Sequence, residues 1–153
     1  MADLKLKTTS VATLASTELN SLANGSSALG AEYDNATNLY IYGLFLLTVT
    51  FGTNPTEGSL INLYLVPAID GTNYAYAPTG ASPFVANTMY LGGFPVDNVT
   101  SIQRIPLGLD AVVYKPILLP PSKFKVLVLN NSGQAFPSSG STVTMLPIWA
   151  QSN

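Results

Sequence analysis

The sequence predicts an all-β fold: an antiparallel β-sandwich, jelly-roll-like, carrying one long inserted loop. Three observations point there. Short apolar runs recur at about ten-residue spacing, turn formers separate them, and helical periodicity is almost absent. At 153 residues the chain is long enough for one domain with its own core. We read residues 1–10 as an N-terminal arm and residues 11–153 as a single β-sandwich domain with a loop excursion at 67–99.

The arm, "MADLKLKTTS", alternates Leu4 and Leu6 with Lys5 and Lys7, a pattern suited to an extended segment that adds an edge strand to a neighbour. Residues 11–22 hold the one stretch of helical spacing, with Val11, Leu14, Ala15, Leu19 and Leu22 roughly on one face. Residues 39–51, "LYIYGLFLLTVTF", form a long mixed run, apolar on both faces at its middle and alternating at its end. The turn "GTNPTEG" links it to "SLINLYLV", residues 59–66, so an antiparallel hairpin is expected.

Further strands are expected over residues 100–107, 111–118, 122–130 and 141–150. The cleanest is "SKFKVLVLN", where Phe124, Val126 and Val128 alternate with Lys123, Lys125 and Leu127. Pro106, Pro116 and Pro147 fall within these runs and cannot donate to a ladder, which places them at edges, bulges or strand ends. Between residues 67 and 95, Pro67, Gly71, Pro78, Gly80, Pro83, Gly92, Gly93 and Pro95 forbid long regular structure. Yet the same stretch carries Tyr74, Tyr76, Phe84, Met89, Tyr90 and Phe94, residues that disordered segments lack. A loop of this length and composition is expected to pack against something.

Composition excludes much chemistry. The chain has no Cys and no His, so it can build neither disulfides nor thiolate zinc sites, and it lacks the commonest general base and metal ligand. Charged residues are 9% and the net charge is -2, far from the clustered Lys and Arg that nucleic acid requires. The surface is wetted instead by Ser, Thr and Asn, 41 residues together. The longest apolar run is too short and too broken for a membrane helix, and the arm does not read as a signal peptide. The four Asn-X-Ser/Thr sequons are what so much Asn, Ser and Thr produces by chance.

Few motifs carry chemistry. "DGTN", residues 70–73, has one acid where a calcium loop needs several, and reads as a turn. Glu32 and Asp34 share strand parity like a hydrolase carboxylate pair, but acids that cap a turn explain both without chemistry. No catalytic residue, metal site or cofactor is assigned, and no enzymatic activity is expected. Eight tyrosines admit a sugar-stacking platform built on Tyr74, Tyr76 or Tyr90, while exposed aromatics in a weakly charged chain have the composition of a protein interface core. The interface reading names Tyr74, Tyr76, Phe84, Met89, Tyr90 and Phe94 on the loop, with Leu4 and Leu6 on the arm.

Residues 17–76 carry a resemblance. "LNSLANG", "YDN" and "LYLVPAIDGTNY" resemble stretches that recur in small virion structural proteins of tailed bacteriophages. That resemblance implies a capsid decoration (cement) protein, made in the bacterial host cytoplasm and placed on the capsid surface, with the major capsid protein as partner. A homotrimer is then the expected state, since closed symmetry buries such loops reciprocally. The alternative is a carbohydrate-binding or adhesion module of a phage tail or head fibre.

Overall fold

The computed structural model describes residues 4–75, 80, 89–108 and 116–152. Its strands are, in chain order, β1 (Leu4–Thr8), β2 (Ala12–Ala15), β3 (Ser27–Leu29), β4 (Tyr33–Asp34), β5 (Tyr42–Val49), β6 (Leu60–Pro67), β7 (Met89–Pro95), β8 (Gln103–Pro106), β9 (Ile117–Leu118), β10 (Lys123–Asn130) and β11 (Thr142–Ser152). One 3-10 turn (Thr17–Leu19) and one turn of α-helix, α1 (Asn35–Asn38), complete the set.

Every strand pair is antiparallel, and the pairs close into two sheets. The first runs β1 and β2, then β11, then β5, then β8 and β9; the second runs β3 and β4, then β10, then β6, then β7. Taken as eight strand positions, the first pairs with the last, the second with the seventh, the third with the sixth and the fourth with the fifth. That nesting is the jelly-roll topology. Inward residues of the two sheets meet in one core. Phe45, Leu47, Val49, Val143 and Met145 come from the first sheet, and Ile61, Leu63, Leu65, Phe124, Val126 and Val128 from the second.

The loops at 16–26, 50–59, 96–102 and 131–141 gather at one end of the sandwich and are laced by backbone bonds. Ser21 N–H donates to the Pro137 carbonyl (2.8 Å), Thr56 N–H to Ser132 (2.8 Å) and Gly58 N–H to Val96 (2.9 Å). At their centre sits Asn130, wholly buried. Its Nδ2 donates to the carbonyls of Leu22 (3.0 Å) and Gln134 (2.8 Å), and its Oδ1 accepts from the N–H (3.0 Å) and hydroxyl (2.7 Å) of Ser132. Phe51 and Phe136 seal this end edge-to-face at 5.9 Å. The opposite end holds the connections around α1 and around residues 68–75, and the first candidate surface below lies there.

The prolines sit as their chemistry demands. Pro106 ends the edge strand β8 and Pro116 precedes β9. Pro147 is inside β11, but the Ile148 carbonyl accepts from Ile41 N–H (2.9 Å) on the β5 side, so the pleat turns the Pro147 nitrogen the other way. There β1 ends opposite Ile148 and β2 begins opposite Met145, leaving a seam with no strand to receive a donor.

Four expectations are corrected. Residues 11–22 are β2 and a 3-10 turn rather than a helix; their Thr and Ser favour strand and turn, and Leu14, Leu19 and Leu22 still reach the core. β5 and β6 do not form a hairpin, because each finds its partners in a different sheet and their inward faces pack against each other. The excursion at 67–99 is not loop throughout, since residues 89–95 are β7, paired along β6 with a register shift at Leu63/Tyr64. Gly92 makes that bulge possible: its φ is 149°, and a Cβ there would lie 3.2 Å from the Gly108 carbonyl oxygen. The arm's strand β1 joins the sheet of its own chain, paired with β11.

Replacing Asn130 by Ala would take one donor each from the Leu22 and Gln134 carbonyls and leave the buried Ser132 N–H without its acceptor, and we expect it to destabilise the fold by roughly 2–4 kcal/mol. Thermal or denaturant unfolding of the variant measures this; a loss below the error of the fit contradicts the central role given to Asn130.

Candidate functional site

Two surfaces concentrate the side chains that the sequence singled out. The first begins where β4 runs into α1. Asp34 Oδ1 accepts from the N–H groups of Ala36 (2.9 Å) and Thr37 (3.2 Å), and its Oδ2 from the Thr37 hydroxyl (3.1 Å), which caps the helix and holds the acid below its usual range. Buried Asn35 then ties the turn to the body: its Nδ2 donates to the Tyr40 (3.0 Å) and Pro120 (2.8 Å) carbonyls while its Oδ1 accepts from Tyr40 N–H (2.9 Å). Tyr33 stacks on the core ring of Phe124 at 5.2 Å.

Beside this turn the chain leaving β6 is pinned down. Asp70 closes the turn expected from "DGTN", accepting from the N–H groups of Thr72 (2.9 Å) and Asn73 (2.7 Å) and from Asn73 Nδ2 (2.8 Å). These donors, the Asn73 side chain foremost, pull its pKa down to about 2. Four residues on, the Tyr74 hydroxyl donates to Glu32. Glu32 in turn pairs with Lys123 Nζ at 3.0 Å, and Lys125 Nζ lies 4.7 Å from the centre of the Tyr74 ring. The Tyr74 bond, then Lys123, lowers the Glu32 pKa; desolvation, then Glu32 itself, pushes the Tyr74 phenol up to about 12.

Glu32 and Asp34, weighed as a carboxylate pair, are thus each engaged in holding structure: one fastens a loop and the other caps a helix. Among the described residues no three His, Cys, Asp or Glu side chains come together as a metal would need, and no helix is long and apolar enough to cross a membrane.

The interface residues expected from the sequence separate into four groups. Tyr74 is half-buried in the clasp just described, while Met89, Tyr90 and Leu6 are exposed. Phe94 is a correction: it lies on the inward face of β7 opposite Ile61, fully buried in the core, and offers nothing to a partner. Tyr76 and Phe84 lie outside the described residues, and Leu4 is described only through its backbone, opposite Ser152.

Tyr90 belongs to a small aromatic surface on the outer face of the second sheet. Its ring meets Tyr64 across the strands at 5.2 Å, tilted by 53°, and its hydroxyl donates to Asn62 Oδ1 at 3.4 Å. A third surface, which sequence reasoning did not single out, is the outer face of the first sheet. Leu44 and Leu46 of β5, Leu146 of β11, Leu118 of β9 and Leu6 of β1 all point outward there by register. The double-sided apolar character of residues 39–51 was the signal for it.

Comparison with protein-family models, with curated proteins and with solved structures finds no match to this chain.

The clasp has a pH signature with a definite sign. Tyr74 is raised in the folded state, so its contribution is whole below a free phenol's pKa of about 10 and is lost as pH rises through about 12. Difference absorbance of the phenolate should show one tyrosine titrating near 12 that vanishes in Tyr74→Phe and moves down in Glu32→Gln; a Tyr74 titrating like free tyrosine contradicts the clasp.

Proposed function

We propose that this chain is a structural virion protein, a capsid decoration (cement) protein that stabilises a tailed-phage head by contact rather than by catalysis. The observation that carries the reading is apolar side chains left in water on a chain with few charges. Ile69 is 86% exposed, Leu6 66% and Leu118 63%, with Met89 and Tyr90 close to half exposed. Scattered apolar side chains are ordinary on a protein surface. Here they face out from a body with 9% charged residues, where little else keeps copies apart. Burial against a shell removes that exposure, and each subunit's contact free energy must then be lost before the shell opens.

The resemblance of residues 17–76 to phage virion proteins supports the same reading. The jelly roll agrees with it as a fold shared by viral capsid proteins, although it is also the fold of lectins and cupins and decides nothing alone. A second reading has one observation of its own: Tyr64 and Tyr90, with the Asn62 amide between strands, offer ring faces and hydrogen-bonding groups of the kind that hold a sugar.

Purified capsids mixed with the protein discriminate the two. We expect stoichiometric uptake and a higher temperature of shell disruption, with uptake reduced at least tenfold when Met89 and Tyr90 are both replaced by Ser. Absence of uptake, together with retention of the wild type on a glycan array and its loss in Tyr90→Ala, establishes the sugar-binding module instead.

A further inference from the structure

The outer face of the first sheet breaks the rule for an antiparallel sheet with one side in water, which is apolar in and polar out. On β5 the outward positions are Tyr42, Leu44, Leu46 and Thr48, while Phe45, Leu47 and Val49 fill the core. Register sets Leu146 across from Leu44, Ile148 across from Tyr42 and Pro106 across from Leu46. Leu118 continues the row beyond Tyr42, and Leu6 reaches it from the arm opposite Ala150. A band of Leu, Tyr and Pro therefore crosses the sheet from edge to edge, with Ile148 buried beside Tyr42, bordered at one end by Thr48, Thr142 and Thr144.

Charge decides what can cover it. Among the described residues paired across this face the one ionised group is Arg104, opposite Thr48 at the β8 margin; Lys5 and Lys7 alternate with Leu6 and face the other way. A charged partner surface would lose its hydration here with no counter-charge to receive it. A neutral apolar sheet face with a threonine border fits, and that is the face itself. Size agrees: four strands about 4.8 Å apart over roughly seven residues of about 3.4 Å give roughly 450 Å² in projection. The relief of the side chains carries that toward the ~800 Å² per partner of a standard interface.

We propose that two copies of this chain associate face to face through the outer surface of the first sheet, with Leu44 and Leu146 at the centre of the contact. Because each copy offers the same patch, the contact is isologous and closes at two. The homotrimer expected from the sequence would need two different patches per subunit.

Sedimentation of the purified full-length chain, with no capsid present, tests this. The wild type should sediment as a dimer at micromolar concentration, and Leu44→Lys should weaken the dimer at least a hundredfold while far-ultraviolet circular dichroism stays native. If Leu44→Lys does not fold, Leu118→Lys at the exposed margin serves, with at least a tenfold loss expected. The chain lacks Cys, so Leu146→Cys is a unique handle: a short bismaleimide should join two copies through it, and should not through Ile69→Cys. A wild type that stays monomeric, a trimer, or a dimer indifferent to these substitutions overturns the proposal. Since no shell enters this experiment, its failure leaves capsid uptake standing, and failure of uptake leaves the dimer standing.

Discussion

The nested pairing of strands is the constraint on which the rest depends. The middle of the chain, β5 and β6, supplies one central strand to each sheet, and the late strands β11 and β10 come back to pair with them. Register between these four strands aligns every inward apolar residue, and a slip of one residue would exchange core for surface along a whole strand. The register is pinned from outside the ladders. Asn130, the last residue of β10, is fixed by four side-chain hydrogen bonds to two loops, and Pro147 in β11 tolerates only a position facing the seam between β1 and β2.

This dependence explains what could be read from the sequence. Strand character is local: alternation in residues 122–130 and the proline positions require no knowledge of partners, and both appear where expected. Pairing is not local. Nothing within "GTNPTEG" says whether the flanking strands pair with each other or cross between sheets, since the answer lies in β10 and β11, sixty or more residues away. The strand at 89–95 was hidden for a different reason. Two consecutive glycines read as breakers, but here one of them supplies the φ that lets β7 bulge past Tyr64 and approach Gly108. In residues 11–22 the spacing of Leu14, Leu19 and Leu22 fits a helix face and a bent strand-turn path equally; tertiary pairing with β11 chose the second.

The candidate surfaces were legible only in outline. Aromatic content marked the region after β6, yet could not separate Phe94, which fills the core, from Tyr90 one strand register away on the outer face. That separation depends on the parity of a bulged strand, which a single glycine resets. Conversely, the apolar outer face of the first sheet was present in the sequence as a run with too many leucines for a one-sided strand. Its meaning emerged once β11 was placed beside β5, because Leu146 doubles the band that Leu44 and Leu46 begin.

Three stretches singled out in the sequence also gain a physical account. In "LNSLANG", Leu19 and Leu22 are buried and the Asn24 side chain accepts from Gly133 N–H at 2.8 Å, joining two end loops. In "YDN", Tyr33 packs on Phe124, Asp34 caps α1 and Asn35 bridges to Pro120. In "LYLVPAIDGTNY", Leu63 and Leu65 are core, Asp70 closes the turn and Tyr74 fastens to Glu32. Each motif thus fastens the jelly roll, and the third also turns Tyr64 and Ile69 outward. Fastening and exposed residues share these stretches, so the motifs do not by themselves mark a surface; the unburied apolar side chains on the outer faces of the two sheets do.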